Sequence, residues 1–434
     1  MVSALYSNLL GDAEMAALMG DAAAIAAMLR AEAALAHAQA RLGIIPEEAA
    51  AAIARAAETV RPDPVTLAPG VARAGIAAQP VIAALKQAAG PAADWVHYGA
   101  TSQDIVDTGQ MIQLRQALEL LRARLAGLAE LLALKAGEFQ AQPIAAHTRF
   151  QIAAPTSLGA KIAIWRAPLL RHLDRLDQML PRLLNVSLYG AAGTSAALGP
   201  QADALRSAMA AELGLGAPET PWHTTRDGIA ELGGWLSLVT GALGKMGADL
   251  VLLAQSERAE VCAGIGGASS TMPQKSNPVA AETLVTLARL NAGDLSGLHQ
   301  ALIHAQERDG AALGIEWALL PGMLERAAAS LRIGAELVQS LRADPARIAA
   351  NFTADRGRMM AEAAGFLLAR DMPRAEALMI VAEALRALQA DAGLTLVDAL
   401  ATLAPGRDWA TLLAADANLG QAAAIAATAR DPAP

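Results

Sequence analysis

Residues 111–132 read MIQLRQALELLRARLAGLAELL, and the fold class follows from them. The leucines at 114, 118, 121, 125, 128 and 132 step by alternating fours and threes. A period of about 3.5 residues held over three heptads puts one apolar seam down a long helix. The same alternation recurs at Leu232, Leu236, Val239, Leu243, Met246, Leu250 and Leu253. Looser versions run from Ile162 to Leu183 and from Leu284 to Leu302. Several helices of roughly 25–30 residues, about 40 Å each, imply a bundle. Such seams fill the chain's own core, and their length also suits packing against other subunits.

Outward from the bundle the pattern shortens. Before it, alanine-rich helices are interrupted by Pro46, Pro62, Pro64, Pro69 and Pro91; after about residue 345, breaks fall at Pro373, Gly393 and Pro405. The expectation is an all-α chain of three helical domains: an N-terminal one over 1–108, a central long-helix bundle over 109–345, and a C-terminal one over 346–434. Aromatics make up only 3% of the 434 residues, which argues against a β-rich protein.

Composition narrows the function classes. A hydrophobic share of 54% can build a large core and excludes disorder as the main state. With 42 acidic against 34 basic side chains and no Lys/Arg block, neither a nucleic-acid nor an anionic-membrane partner is expected. The N-terminus has no basic region before an apolar core, and the uncharged run 183–202 is broken by glycines and Pro200, so no export or membrane segment is expected. A single cysteine, Cys262, rules out an internal disulfide framework or a multi-cysteine metal cluster and suits a reducing, cytoplasmic setting. His299 and His304 are five apart and lack an acidic pair, so no metal site is expected.

Three polar islands could carry chemistry. The stretch GIGGASSTMPQKSNP (264–278) cannot be a regular helix, given its glycines and prolines. It holds Ser269, Ser270, Lys275 and Asn277. Backbone N–H groups and an ammonium can stabilise a serine alkoxide there, although the same composition also suits a plain connector. WVHYGATSQDIVDT (95–108) precedes the first long helix; Thr101, Ser102 and Asp104 can cap it, and with His97 they can hold a carboxylate or phosphate. In AHTRFQIAAPTSLG (146–159), Arg149 and Gln151 interrupt apolar sequence.

Together these islands resemble the fumarase/aspartase superfamily. Its signature loop, Ser-Ser-x-Met-Pro-x-Lys-x-Asn-Pro, is matched at Ser269, Ser270, Met272, Pro273, Lys275, Asn277 and Pro278. His97 to Ser102 with Asp104 is similar to a second family block, and Thr148, Gln151, Ala153, Pro155 and Gly159 to a third. Departures select the subfamily. Lyases of this family usually place an acid/base histidine where this chain has Arg149, and adenylosuccinate lyases carry another where it has Gln79. Loss of both, with the block Gly99–Thr108, resembles the bacterial 3-carboxymuconate cycloisomerases.

The resemblance implies a homotetramer with active sites shared between subunits, a small tricarboxylate substrate, no cofactor, and lactonisation of 3-carboxy-cis,cis-muconate in protocatechuate catabolism. It implies Ser269 as general acid/base, ahead of Ser270, with Lys275 and Asn277 stabilising developing charge. His97, Thr101, Ser102, Arg149, Gln151 and Arg308 would bind substrate carboxylates; Arg308 lies in a Glu-Arg segment similar to the family's. The alternatives are a fumarate-releasing lyase of the same superfamily and a catalytically silent helical scaffold.

Overall fold

The computed structural model describes residues 3–429 apart from 265, 269–270 and 273–274. Helices dominate, as the seams require. The elements that position the site are α1 (Asp21–Arg41), α2 (Ser102–Glu138), the hairpin β1 (Pro143–Thr148) and β2 (Gln151–Ser157), α3 (Leu158–Leu183) and α4 (Asp227–Leu253). They are followed by the short strands β3 (Gly267–Ala268) and β4 (Ser276–Asn277), then α5 (Val279–Gln300) and α6 (Gly310–Ser340). Every strand among the described residues belongs to a two-stranded pair.

All six seam leucines of α2 are buried, as are all seven seam residues of α4. At about 1.5–3 kcal/mol for each large apolar side chain removed from water, these two stripes are a leading source of stability. By length and composition α4 would suffice to cross a bilayer, but its seam packs into the chain's own core.

α2 begins at Ser102, well before the first seam residue. Its opening turns carry Gln103, Asp104, Asp107 and Thr108, all fully buried. Four polar side chains in a row of turns read as a loop in one dimension. Besides the local Gln103–Asp107 and Thr101–Asp104 bonds, their partners are distant in sequence, and those partners offset the cost of burial. The other departure from a purely helical pattern is the β1–β2 hairpin, which occupies most of the island ahead of α3. Ser157 ends it and caps α3, its hydroxyl accepting from the Ala160 N–H at 3.0 Å.

The chain divides into two compact units. One comprises residues 1–125, 172–241 and 286–332; the other comprises 126–171, 242–285 and 333–434. In the first, a core of Met28, Leu29, Leu35, Ile53, Leu85, Ile105, Leu188 and Met209 joins α1 and the proline-punctuated helices to the start of α2. In the second, Met359, Leu368, Val381, Leu388, Leu400 and Trp409 form the core of the C-terminal helices. There Thr395 and Asp398 close a capping box at the start of the helix Leu396–Leu403.

Candidate functional site

In the first unit the island before α2 folds into a tight loop over the helix N-terminus. Gly99 has φ +78°, and a Cβ there would lie 2.8 Å from Leu198 Cδ2 and 3.1 Å from the Ala197 carbonyl, so only glycine fits. His97 also takes a positive φ, +64°. Gln39 of α1 donates to the Tyr98 carbonyl at 2.7 Å, tying the loop down.

Asp104 is the hub of this corner. Its Oδ2 accepts from the N–H groups of Thr101 and Gly190, and its Oδ1 from the Tyr189 N–H, all at 3.0 Å. His223 Nε2 lies 2.8 Å from Oδ1. Burial pushes the Asp104 carboxyl up, but the His223 contact and the backbone donors more than reverse this and hold it below the usual carboxylate range. Asp104 is thus a capping and loop-anchoring residue. It leaves the hydroxyls of Thr101 and Ser102, half-buried at the N-terminal end of a 37-residue helix, without partners among the described residues. Unsatisfied helix N–H groups and free hydroxyls together favour an anion.

His97 and Arg308 join the same corner. The His97 Nδ1 sits 2.6 Å from Glu32 Oε1, and Glu32 is only 1% exposed. Arg308 is exposed, yet its Nε donates to Gln103 Oε1 at 3.0 Å and its Nη2 to the Ala191 carbonyl at 3.2 Å. Four of the expected carboxylate-binding residues, His97, Thr101, Ser102 and Arg308, therefore gather around one helix end. Next to them lies a buried ion cluster: Arg226 pairs with Asp107 at 3.0 Å and with Glu316 at 2.9 Å. Burial, reinforced by the Glu316 charge and only partly offset by Arg226, pushes the Asp107 carboxyl up to about 6.

The second unit carries Arg149, Gln151, Lys275 and Asn277 in and beside two hairpins. β1 and β2 pair antiparallel, with Thr148 opposite Gln151, so that Arg149 and Phe150 form a two-residue turn. Both have positive φ, +49° and +66°, the backbone of a type I′ turn. Arg149 and Gln151 are exposed at this tip, and Phe150 is 80% exposed.

The signature loop forms the second, much shorter hairpin, with Gly267 opposite Asn277 and Ala268 opposite Ser276. Gly266 has φ +73°, and a Cβ there would fall on Ser276 Oγ, so the strands close only over a glycine. Lys275 is exposed and its N–H donates to the Met272 carbonyl at 3.0 Å; Asn277 is half-buried. Ser269 and Ser270 lie outside the described residues.

Sequence reasoning missed Glu32, Gln103, Asp107, His223, Arg226 and Glu316. For Glu32 a signal existed: it stands three or four positions from Met28, Leu29, Leu35 and Ala36, on the buried stripe of α1. Gln103 and Asp107, four apart, share a helix face in the same way. His223, in an irregular segment, offered none.

Comparison with known proteins adds similarity along most of the chain. Residues 12–291 match the family model described as Lyase. A 3-carboxy-cis,cis-muconate cycloisomerase of Pseudomonas aeruginosa is 42% identical over 381 residues, covering 86% of this chain and 83% of that protein. A nitrosuccinate lyase of Streptomyces davaonensis is 38% identical over 417 residues, covering 92% of this chain and 87% of that one. The crystal structure of 3-carboxy-cis,cis-muconate lactonizing enzyme from Pseudomonas putida superposes with a TM-score of 0.93 at 36% identity, covering 99% of this chain and 98% of that chain.

Proposed function

Because the chain belongs to the lyase family of the fumarase/aspartase superfamily, we propose that it lactonises 3-carboxy-cis,cis-muconate as a cytoplasmic step of protocatechuate catabolism. One substrate carboxylate adds its oxygen to a carbon–carbon double bond of the same molecule. The electron pair moves to the neighbouring carbon as a carbanion conjugated with another carboxylate. Ser269 then delivers a proton to that carbon as general acid. The nucleophile arrives already ionised, so the step calls for no cofactor.

The difficult part is the doubly charged carboxylate that develops. Donors aimed at it lower the barrier in a site that excludes water, the role proposed for Lys275, Asn277 and the loop N–H groups. The other carboxylates fall to His97, Thr101, Ser102, Arg149, Gln151 and Arg308. In this reading the three-part layout of 1–108, 109–345 and 346–434 builds a homotetramer in which blocks from different subunits share each site.

Arg149 is the observation that carries the reading. An always-charged guanidinium cannot act as a base near neutral pH, but it grips a carboxylate through parallel hydrogen bonds. A tricarboxylate needs such grips more than a second proton carrier. The similarity to cycloisomerases supports the same choice. The relative named nitrosuccinate lyase supports the competing reading, β-elimination from a substituted succinate.

Purified protein given 3-carboxymuconate should deplete its ultraviolet absorbance, without fumarate release from adenylosuccinate. Robust fumarate release by the unmodified protein would overturn the cycloisomerase reading. Mixing an inactive Ser269 variant with an inactive Arg149 variant should restore part of the activity; well-exchanged mixtures with no recovery would place the site within one chain.

A further inference from the structure

One fully buried amide, that of Gln103, has no part in this reaction scheme. Gln103 lies in the first turn of α2, closed off from solvent. Its Nε2 donates to Asp107 Oδ2 at 3.1 Å and to the His223 carbonyl at 2.8 Å. Its Oε1 accepts from Arg308 Nε at 3.0 Å. These partners decide which end of the amide is which, because a carbonyl can only accept and a guanidinium can only donate. Flipped, the amide would set oxygen against oxygen on one side and donor against donor on the other.

The acceptor offered to Arg308 is also held from behind. Asp107 is paired with Arg226, and Arg226 with Glu316, all but shut off from water. Asp107 Oδ1 and Arg226 Nη1 make no hydrogen bond among the described residues, so the amide is fixed by its own two donor contacts and by the ion pairs beside it. Arg308, by contrast, is an exposed side chain with several rotatable bonds, and left alone it would lose that freedom on gripping a ligand. Its Nε and Nη2 are engaged by Gln103 and Ala191, while Nη1 has no partner among the described residues.

We propose that Gln103 is a positioning residue for Arg308, locking the guanidinium by its Nε edge so that its outer edge is presented to a substrate carboxylate. The inference rests on the reading of Arg308 as a carboxylate clamp. Gln103 touches no substrate; it acts by removing the ordering cost of the arginine before the ligand arrives. Such a contribution is the same for bound substrate and for the transition state, so its loss raises KM and leaves kcat nearly alone.

Gln103→Met keeps the length of the side chain and removes both polar ends. Wild-type turnover of 3-carboxymuconate is measured first, so that the substrate reading stands or falls separately. The variant's KM should rise about tenfold with kcat within about threefold. Adding Gln103→Met to Arg308→Ala should change KM by less than about twofold, since a residue acting through Arg308 has nothing left to act on. Arg308→Lys tests the same point at an exposed position, without disturbing the buried network. One ammonium cannot hold Gln103 and present a planar pair of donors, so its KM should also rise about tenfold. An unchanged KM in Gln103→Met or Arg308→Lys, or effects of Gln103→Met and Arg308→Ala that multiply in the double variant, would overturn the assignment.

Discussion

The imidazole of His97 is held from behind by Glu32: Nδ1 and Oε1 are 2.6 Å apart, and the carboxylate belongs to a helix sixty-five positions earlier in the chain. With Nδ1 occupied, Nε2 is the nitrogen left for a ligand, and ring rotation is blocked. Glu32→Ala should release the ring and raise KM for the tricarboxylate about tenfold, while Glu32→Gln, which keeps a hydrogen bond, should stay within about threefold. Steady-state kinetics of the two variants decide it; equal KM for Glu32→Ala and wild type would show that His97 needs no orienting partner.

Ser269→Ala should lower turnover by about 100- to 10,000-fold, the loss expected for a positioned general acid, with the oligomer intact by light scattering. If Ser270→Ala were the inactive variant and Ser269→Ala near wild type, the two serines would have to exchange roles.

Arg149→His tests the residue on which the cycloisomerase reading rests. Histidine tolerates the positive φ of this turn position better than most side chains, so the hairpin should survive. Turnover of 3-carboxymuconate should fall, and no useful cleavage of adenylosuccinate should appear, because Gln79 still lacks the second histidine. Appreciable fumarate release by this variant would show that the proton carrier alone makes the lyase.

Arg226 is almost fully buried between Asp107 and Glu316. Arg226→Met leaves two carboxylates buried without a counter-charge and should cost about 3–5 kcal/mol, read from the midpoint and slope of a urea unfolding curve. A loss below about 1 kcal/mol would mean that the cluster is solvated.

The pH dependence of stability follows from the raised Asp107 carboxyl. Its value in the fold, about 6, lies above the ordinary aspartate value of 3.8. Between these values the folded state holds more protons than the unfolded one, so stability falls as pH rises through this window and levels off above it. Asp107→Asn removes the titration. The stability of wild type relative to Asp107→Asn should therefore decline from about pH 4 to pH 7. A relative gain over that range would mean that Arg226 outweighs burial and holds the carboxyl low.

The long seams were legible because a heptad alternation is a local, repeated signal: Leu114 to Leu132 and Leu232 to Leu253 declare their buried face wherever the helices lie. The signature loop was legible for a related reason, since glycines and prolines act on the backbone where they stand, and Gly266, at positive φ ahead of β3, leaves no room for a Cβ beside Ser276. The start of α2 was not legible. Gln103, Asp104, Asp107 and Thr108 are polar, and polarity along a chain reads as exposure. Their burial is decided by Tyr189, Gly190, His223 and Arg226, which lie some eighty to one hundred and twenty residues away. The same holds for Glu32 behind His97 and Gln103 behind Arg308. The sequence by itself determined the long helices and singled out the residues proposed to bind a carboxylate. Which buried groups hold those residues in place was decided only by tertiary structure, because hydrogen bonding and charge pairing depend on distance in space, and no local pattern encodes the partner.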